Sequence, residues 1–160
     1  MGVITDQIKH FLGNREFINV ATCDFEGRPN VAPKFVLKIE GDSIYLVDYV
    51  IGKTFQNIKV NPKVSISTVN IDTLVGYQIN GQVQIIDVGQ QYDYLLEEFA
   101  QRQIQFSVKR IIEGVHRERK YSDFEVTFPE HVIVFKVDVQ EVVEIIPTGE
   151  LKRKKIDNVQ

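Results

Sequence analysis

Apolar and polar residues alternate along much of the first ninety positions, the pattern of strands that bury one face. In residues 30–40 the apolar set is Val31, Phe35, Leu37 and Ile39, and Lys34, Lys38 and Glu40 point the other way. Short turns at 25–28 and 40–43 indicate antiparallel hairpins, because parallel strands need long crossovers. The predicted strands are 17–24, 30–40, 44–50, 63–70, 76–87 and 131–145.

Three stretches have a helical period instead. Thr5 can cap a first helix whose apolar face ends before Gly13, and residues 53–60 form a short helix that stops at Asn61-Pro62. Beyond residue 90, two apolar sets at i, i+3, i+4 and i+7 predict two amphipathic helices between residues 90 and 119. These sets are Tyr92, Leu95, Leu96 and Phe99, then Val108, Ile111, Ile112 and Val115.

Together these elements predict a mainly β protein, a six-stranded antiparallel barrel with appended helices. An α/β doubly wound sheet would also interleave strands with a helix, but the hairpin turns argue against it. We expect one domain over residues 1–147, with a helical insert at about 90–119, and a frayed polar tail over residues 148–160. Within the strand at 76–87, Gly81 predicts a bulge or a close approach of two backbones.

Composition narrows the class of protein. The 160 residues are 43% hydrophobic and 26% charged, with a net charge of −3, so a large nucleic-acid footprint is not expected. No apolar run is long enough to span a bilayer, and the N-terminus lacks the pattern of a secretory signal. Cys23 is the single cysteine, which excludes an intrachain disulfide and favours a cytoplasmic location. The basic runs at 116–120 and 152–155 are interpreted as solvated surface.

Gly52-Lys53-Thr54 is the motif that most directly suggests a ligand. A P-loop needs another glycine five residues before Gly52, and that position is Val47, so a P-loop is excluded. A single phosphate could still bind here, because a helix start offers free N–H groups, Thr54 a hydroxyl and Lys53 a charge. A plain helix cap beside a surface lysine is the alternative.

Other candidate groups are few. The three histidines are scattered, so no metal site is predicted, and Cys23 is interpreted as an inert thiol in a strand. Aromatic residues on the strands (Phe35, Tyr45, Tyr49 and Tyr77) would lie in the core, or would let a flat aromatic cofactor lie along the strands near Lys34 and Asp48. A lysine near a reducible ring would stabilise its anionic reduced form.

An ordered set of motifs then resembles the first half of the pyridoxamine 5′-phosphate oxidase-like FMN-binding split-barrel family. The similar features are a hairpin "AT-x-D-x-x-G-x-P", a strand with an internal "PK", and "IYLVD". "KT-x-x-N" then heads a helix and is followed by "NP-x-V-S" and "YQINGQVQII". The resemblance covers residues 15–87 well and the remainder in outline.

The resemblance implies a Greek-key split barrel that forms a homodimer, with one FMN near each end of the interface. Lys53 and Thr54 match the positions that hold the FMN phosphate. The positions beside the ribityl chain and the ring match Lys34, Phe35, Val36, Val47, Asp48 and Tyr49.

Some positions depart from the family pattern. Oxidases of pyridoxamine phosphate carry an Arg where Gly52 stands and a Gln where Gly76 stands, and their C-terminal substrate motif has no counterpart in this chain. The function that the resemblance implies is an FMN-dependent oxidoreductase acting on an unidentified small substrate, with NAD(P)H or another small molecule as electron partner. The alternatives are a non-enzymatic FMN-binding electron-transfer module and a relative that binds haem or a deazaflavin.

Overall fold

A computed structural model describes residues 2–116 and 131–156 of the chain. Its elements in chain order are α1 (Asp6–Gly13), β1 (Phe17–Cys23), β2 (Pro29–Glu40), β3 (Ser43–Asp48), α2 (Lys53–Val60), β4 (Lys63–Val69), β5 (Gly76–Ile86), α3 (Gln90–His116), β6 (Ile133–Ile145) and β7 (Leu151–Lys155). No helix in these two ranges is long and apolar enough to cross a bilayer.

Six strands close into an antiparallel barrel, as the alternation predicted. The strand order is β3-β2-β1-β4-β5-β6, and β3 also pairs with β6, which joins the two ends. Strand β6 makes this closure possible because it pairs with β5 and, through its first half, also with β3. Its second half pairs with β7 instead. Apolar side chains from all six strands, from α1 and from Ile58 of α2 fill the interior.

The predicted first helix is confirmed. The Thr5 hydroxyl accepts a hydrogen bond from the Ile8 N–H at 3.3 Å, which caps α1. Ile8 and Leu12 are buried against the barrel, and the helix ends at Gly13.

Strand β2 changes the face that it buries, which corrects the prediction that its four apolar residues share one side. A bulge between Val36 and Lys38 shifts the register against β3. Phe35 therefore packs outside the barrel, whereas Ile39 packs against the interior. Val31 is 63% exposed. The interior position at the centre of the strand is Val36, which alternation alone placed on the polar side.

The region after residue 90 forms one helix and not the two that were predicted. Residues 100–107 between the two apolar sets contain no glycine or proline, so nothing breaks α3 before Gly114. Leu95 and Phe99 are buried against Phe35 and Val47, on the outer surface of β2 and β3. The second apolar set does not pack there, since Val108 and Ile112 are each about half exposed.

The polar tail is also more ordered than predicted. Residues 151–155 form β7, which pairs with β6, and two of its basic residues contact one partly buried acid. Glu141 lies 3.5 Å from Arg153 and 3.2 Å from Lys155, and it accepts a 2.7 Å hydrogen bond from Asn80. The other basic run, at 116–120, lies outside the described residues from position 117 onward.

Gly81 sits at a bulge between β5 and β6, as predicted, and the two backbones approach closely. A Cβ atom at this position would lie 2.5 Å from the Asp138 carbonyl oxygen.

We expect Gly81→Ala to lower the free energy of unfolding by about 2 kcal/mol, because the β5–β6 ladder must shift. Urea denaturation measures this, with Gly13→Ala as the control, since nothing lies within 4 Å of a Cβ there. Equal stability of the two variants would contradict the close approach.

Candidate functional site

Helix α2 lies against the β1–β2 hairpin through polar side chains. The Thr54 hydroxyl accepts a hydrogen bond from Asn30 at 3.1 Å, and Asn57 donates to the Thr22 hydroxyl at 3.1 Å. Thr22, Thr54 and Asn57 are at most 5% exposed. These pairs fix the first turn of α2 over the end of the hairpin, because buried polar groups need partners. The sequence signal for them is the i, i+3 spacing of Thr54 and Asn57, which places both on one face of α2.

The first turn of α2 has no side-chain cap. Gly52 occupies the N-cap position, and glycine offers no oxygen to the N–H groups that begin the helix. A Cβ at Gly52 would make only ordinary van der Waals contact, the nearest at 3.7 Å to the Val50 side chain, so this position is not crowded. The Lys53 side chain is 51% exposed beside it. Uncapped N–H groups, a helix dipole and a cation together favour an anion.

Lys34 and Asp48 form a buried ion pair at the end of β3, which precedes α2 in the chain. The Lys34 Nζ lies 2.8 Å from Asp48 Oδ1, and both side chains are about 5% exposed. The Val50 N–H also donates to Oδ1, at 3.3 Å, but among the described residues Asp48 Oδ2 has no partner although it is buried. The charge on Lys34 is therefore balanced by Asp48, and one carboxylate oxygen remains able to accept a hydrogen bond.

The remaining predicted site residues lie on two faces of the sheet. Phe35, Val36 and Val47 are at most 1% exposed, and Phe35 and Val47 lie under α3, whereas Val36 faces the interior. Tyr49 is half-buried, and its hydroxyl accepts a hydrogen bond from Gln103 of α3 at 3.1 Å. Burial raises the pKa of Tyr49, so the phenol stays protonated at neutral pH.

The structure thus brings together Lys53 with Thr54 and Lys34 with Asp48, and gives Tyr49 a place at the edge of the aromatic cluster under α3. The contacts with Asn30, Asn57 and Gln103 were not predicted, because they join segments that are far apart in sequence.

The other sequence candidates make separate contacts. Cys23 is partly buried and accepts a hydrogen bond from Asn61 at 3.1 Å, at the edge of a shallow groove of about 460 Å³. His10 pairs with Asn14 on α1. Residues 2–116 and 131–156 contain no group of three or more His, Cys, Asp or Glu side chains arranged to hold a metal ion.

An antiparallel split barrel with a short helix after its third strand is the class of fold that these elements define. The sequence matches the family described as pyridoxamine 5′-phosphate oxidase over residues 4–143, and the chain belongs to this family. An uncharacterised protein of Methanocaldococcus jannaschii is 31% identical over 90 residues, which are 54% of this chain and 59% of that protein. The match thus spans only about three fifths of that relative.

Solved structures share the fold at low identity. A Clostridium acetobutylicum protein related to general stress protein 26, of the pyridoxinephosphate oxidase family, superposes with a TM-score of 0.68 at 15% identity, covering 96% of this chain and 95% of that chain. A pyridoxamine 5′-phosphate oxidase-related FMN-binding protein from Nostoc punctiforme gives 0.56 at 14% identity, with 89% and 87% covered. HutZ, a haem storage protein from Vibrio cholerae, gives 0.61 at 18% identity, with 94% and 100% covered.

The buried ion pair yields a prediction about stability. Lys34→Met leaves the Asp48 carboxylate buried without a counter-charge, and we expect a loss of about 3–5 kcal/mol in the free energy of unfolding. The double variant Lys34→Met/Asp48→Leu should recover much of this loss, because no buried charge then remains. Chemical denaturation measures both variants.

Lys38→Met is the matched control on the same strand, because Lys38 pairs with Glu98 at 2.8 Å but is partly exposed. It should cost no more than about 1 kcal/mol. Equal losses for Lys34→Met and Lys38→Met would show that burial of the Lys34–Asp48 pair is not what makes it important.

Proposed function

We propose that this protein binds FMN and is an oxidoreductase acting on a small substrate that is still to be identified. The observation that carries this proposal is the uncapped first turn of α2, where Lys53 and Thr54 would hold the FMN phosphate. Free N–H groups, a lysine and an uncrowded position at Gly52 suit a phosphate group. Membership of the family and the FMN-binding neighbour support the choice of FMN.

The end of β2 and the segment at the end of β3 would form the wall beside the ribityl chain and the ring. Phe35, Val36 and Val47 are too deeply buried to offer side chains, so they would shape this wall from behind. Tyr49 and Phe17, whose rings lie 6.1 Å apart, are partly exposed and could contact a flat ring. Asp48, at the end of β3, has a buried Oδ2 that lacks a donor among residues 2–116 and 131–156.

Bound FMN would supply electron or hydride transfer between a donor such as NAD(P)H and the substrate. The residues of this chain would bind the phosphate, orient the ring and exclude water from one side of it. Tyr49 would keep its proton at neutral pH because its pKa is raised by burial, so it would act as a hydrogen-bond donor and not as a base.

We also propose a homodimer with FMN at the interface between subunits. Four apolar side chains close to the candidate site are between 44% and 69% exposed: Phe17, Val31, Val50 and Ile51. Exposed apolar groups around an open site support the presence of a second subunit that covers them.

A cytoplasmic location is also part of this proposal, because the chain has a single cysteine and so no intrachain disulfide.

Three alternatives predict different spectra or kinetics. An electron-transfer module would retain flavin but would not turn over with NADH or NADPH and a quinone or dye. A haem-binding relative, as HutZ suggests, would show a Soret band, and a deazaflavin-binding relative would retain that cofactor in preference to FMN. Absorption spectra of the purified protein, taken before and after incubation with each cofactor and desalting, separate these cases. A protein that retains no FMN would overturn the proposal.

The phosphate contact can be tested by substitution. Lys53→Ala removes the cation beside the first turn of α2, and we expect FMN binding to weaken by about 1–3 kcal/mol. Thr54→Val should weaken it by a similar amount and should also lower stability, since Asn30 loses its acceptor. Fluorescence titration with FMN measures the affinity of each variant.

Lys59→Ala is the control, because Lys59 lies in the last turn of the same helix and is exposed. It should leave the affinity unchanged. If Lys53→Ala and Thr54→Val bind FMN as tightly as Lys59→Ala does, the phosphate binds elsewhere.

A further inference from the structure

Two cationic side chains beside the first turn of α2 share one carboxylate. Asp24 Oδ2 lies 3.5 Å from the Lys53 Nζ and 3.6 Å from the Arg28 Nε. Lys53 comes from α2 and Arg28 from the turn between β1 and β2, so the two cations come from different segments. The Arg28 guanidinium also pairs with Glu26 of the same turn.

The carboxylate of Asp24 is the fixed member of this cluster. Its Oδ1 accepts hydrogen bonds from the backbone N–H groups of Glu26 at 3.0 Å and of Arg28 at 2.9 Å, and its side chain is only 9% exposed. The Arg28 N–H, and then Lys53, lower the pKa of Asp24, so it is ionised at neutral pH. A negative charge is therefore built into this turn.

The two cations, in contrast, are free to move. The Lys53 side chain is 51% exposed and that of Arg28 is 70% exposed. Both distances to Asp24 Oδ2 are long for a charge-assisted hydrogen bond, and exposed ion pairs of this kind add little net stability. Lys53 can therefore turn toward a more highly charged anion at small cost, and so can Arg28, although Arg28 must then leave the exposed Glu26 as well as Asp24.

An anion bound at the first turn of α2 would lie within reach of both Lys53 and Arg28. The bond between Asn30 and Thr54 holds the first turn of α2 against the hairpin that carries Asp24 and Arg28. Lys53 is the first residue of that turn, and its ammonium already reaches the same Asp24 oxygen as Arg28. An anion on the N–H groups of the turn would compete directly with Asp24 for both cations.

We propose that Arg28 is a second phosphate-binding cation. Without ligand, Asp24 pairs with Lys53 and Arg28, and the phosphate of the bound ligand replaces Asp24 as their partner. This inference rests on the proposed function and adds two residues to its phosphate site. Asp24 weakens binding of every phosphate ligand by repulsion, and Arg28 compensates for part of that repulsion. The cluster thus sets how strongly the protein prefers a flavin with a phosphate to one without.

Comparing the affinities for FMN and riboflavin isolates the contribution of the phosphate group to binding, because riboflavin lacks that group. We expect Arg28→Gln to weaken FMN binding about three- to tenfold and to leave riboflavin binding unchanged. Asp24→Asn should tighten FMN binding about threefold without changing riboflavin binding, because repulsion is removed while the amide oxygen still accepts both backbone hydrogen bonds. Fluorescence titration of each flavin at fixed ionic strength measures these changes, and thermal melting checks that each variant folds.

Lys59→Gln and Asp72→Asn are the matched controls, since each changes the net charge by the same amount at an exposed position away from the turn. Neither should change FMN affinity by more than about twofold, as expected for screened charges. The inference is overturned if Arg28→Gln affects FMN and riboflavin equally or not at all. It is also overturned if a folded Asp24→Asn variant binds FMN more weakly than the wild type does.

Failure of the proposed function would look different. If the wild type binds neither flavin, FMN is not the ligand, and inorganic phosphate becomes the probe. Shifts of the Lys53 and Thr54 amide signals on titration with phosphate, reduced in Arg28→Gln and enlarged in Asp24→Asn, would still support the anion site. Absence of such shifts in the wild type would overturn it.

Discussion

Helix α2 packs against the barrel partly through polar side chains, and each of these needs a partner because it is shielded from water. Thr54 pairs with Asn30 and Asn57 pairs with Thr22, while Lys34 and Asp48 neutralise each other nearby. Apolar contacts such as Ile58 are not directional, whereas hydrogen-bonded pairs favour one register. One buried acceptor of the helix, Asn57 Oδ1, has no partner among the described residues. The position of the first turn of α2, and of Lys53 with it, follows from this requirement.

The same requirement ties α3 to the candidate site. Arg102 donates to the carbonyl oxygens of Val36 and Gly13, at 2.9 and 2.6 Å, and so joins α3 to β2 and to the end of α1. One residue later, Gln103 holds the hydroxyl of Tyr49. A helix that only covered apolar surface would not need these contacts. Because Gln103 binds the Tyr49 hydroxyl, the orientation of Tyr49 depends on the position of α3. A shift of α3 would therefore move a side chain that is proposed to contact the flavin ring.

Local pattern was enough to predict most of the barrel. Alternation and two short turns located the strands, and the spacing from Thr5 to Gly13 located α1, because each of these signals acts within a few residues. Three features were missed. The bulge in β2 has no residue signal of its own, and α3 contains no breaker between its two apolar sets. Strand β7 pairs with β6, and its basic residues contact Glu141, which Asn80 holds by a hydrogen bond.

The candidate site shows the same division between local and distant information. Lys53 and Thr54 could be singled out from the sequence because a helix start and its charge are local features. The partner of each group could not, since Asp24, Asn30 and Asp48 reach the helix region only after the hairpin and β3 have taken their register in the barrel. Sequence reasoning therefore treated Lys34 as a positive charge available to a cofactor. Once Asp48 is placed 2.8 Å from it, the net charge at that position is close to zero. Lys53 and Arg28 also pair with a carboxylate, Asp24, but their side chains are at least half exposed, so a ligand could still reach them.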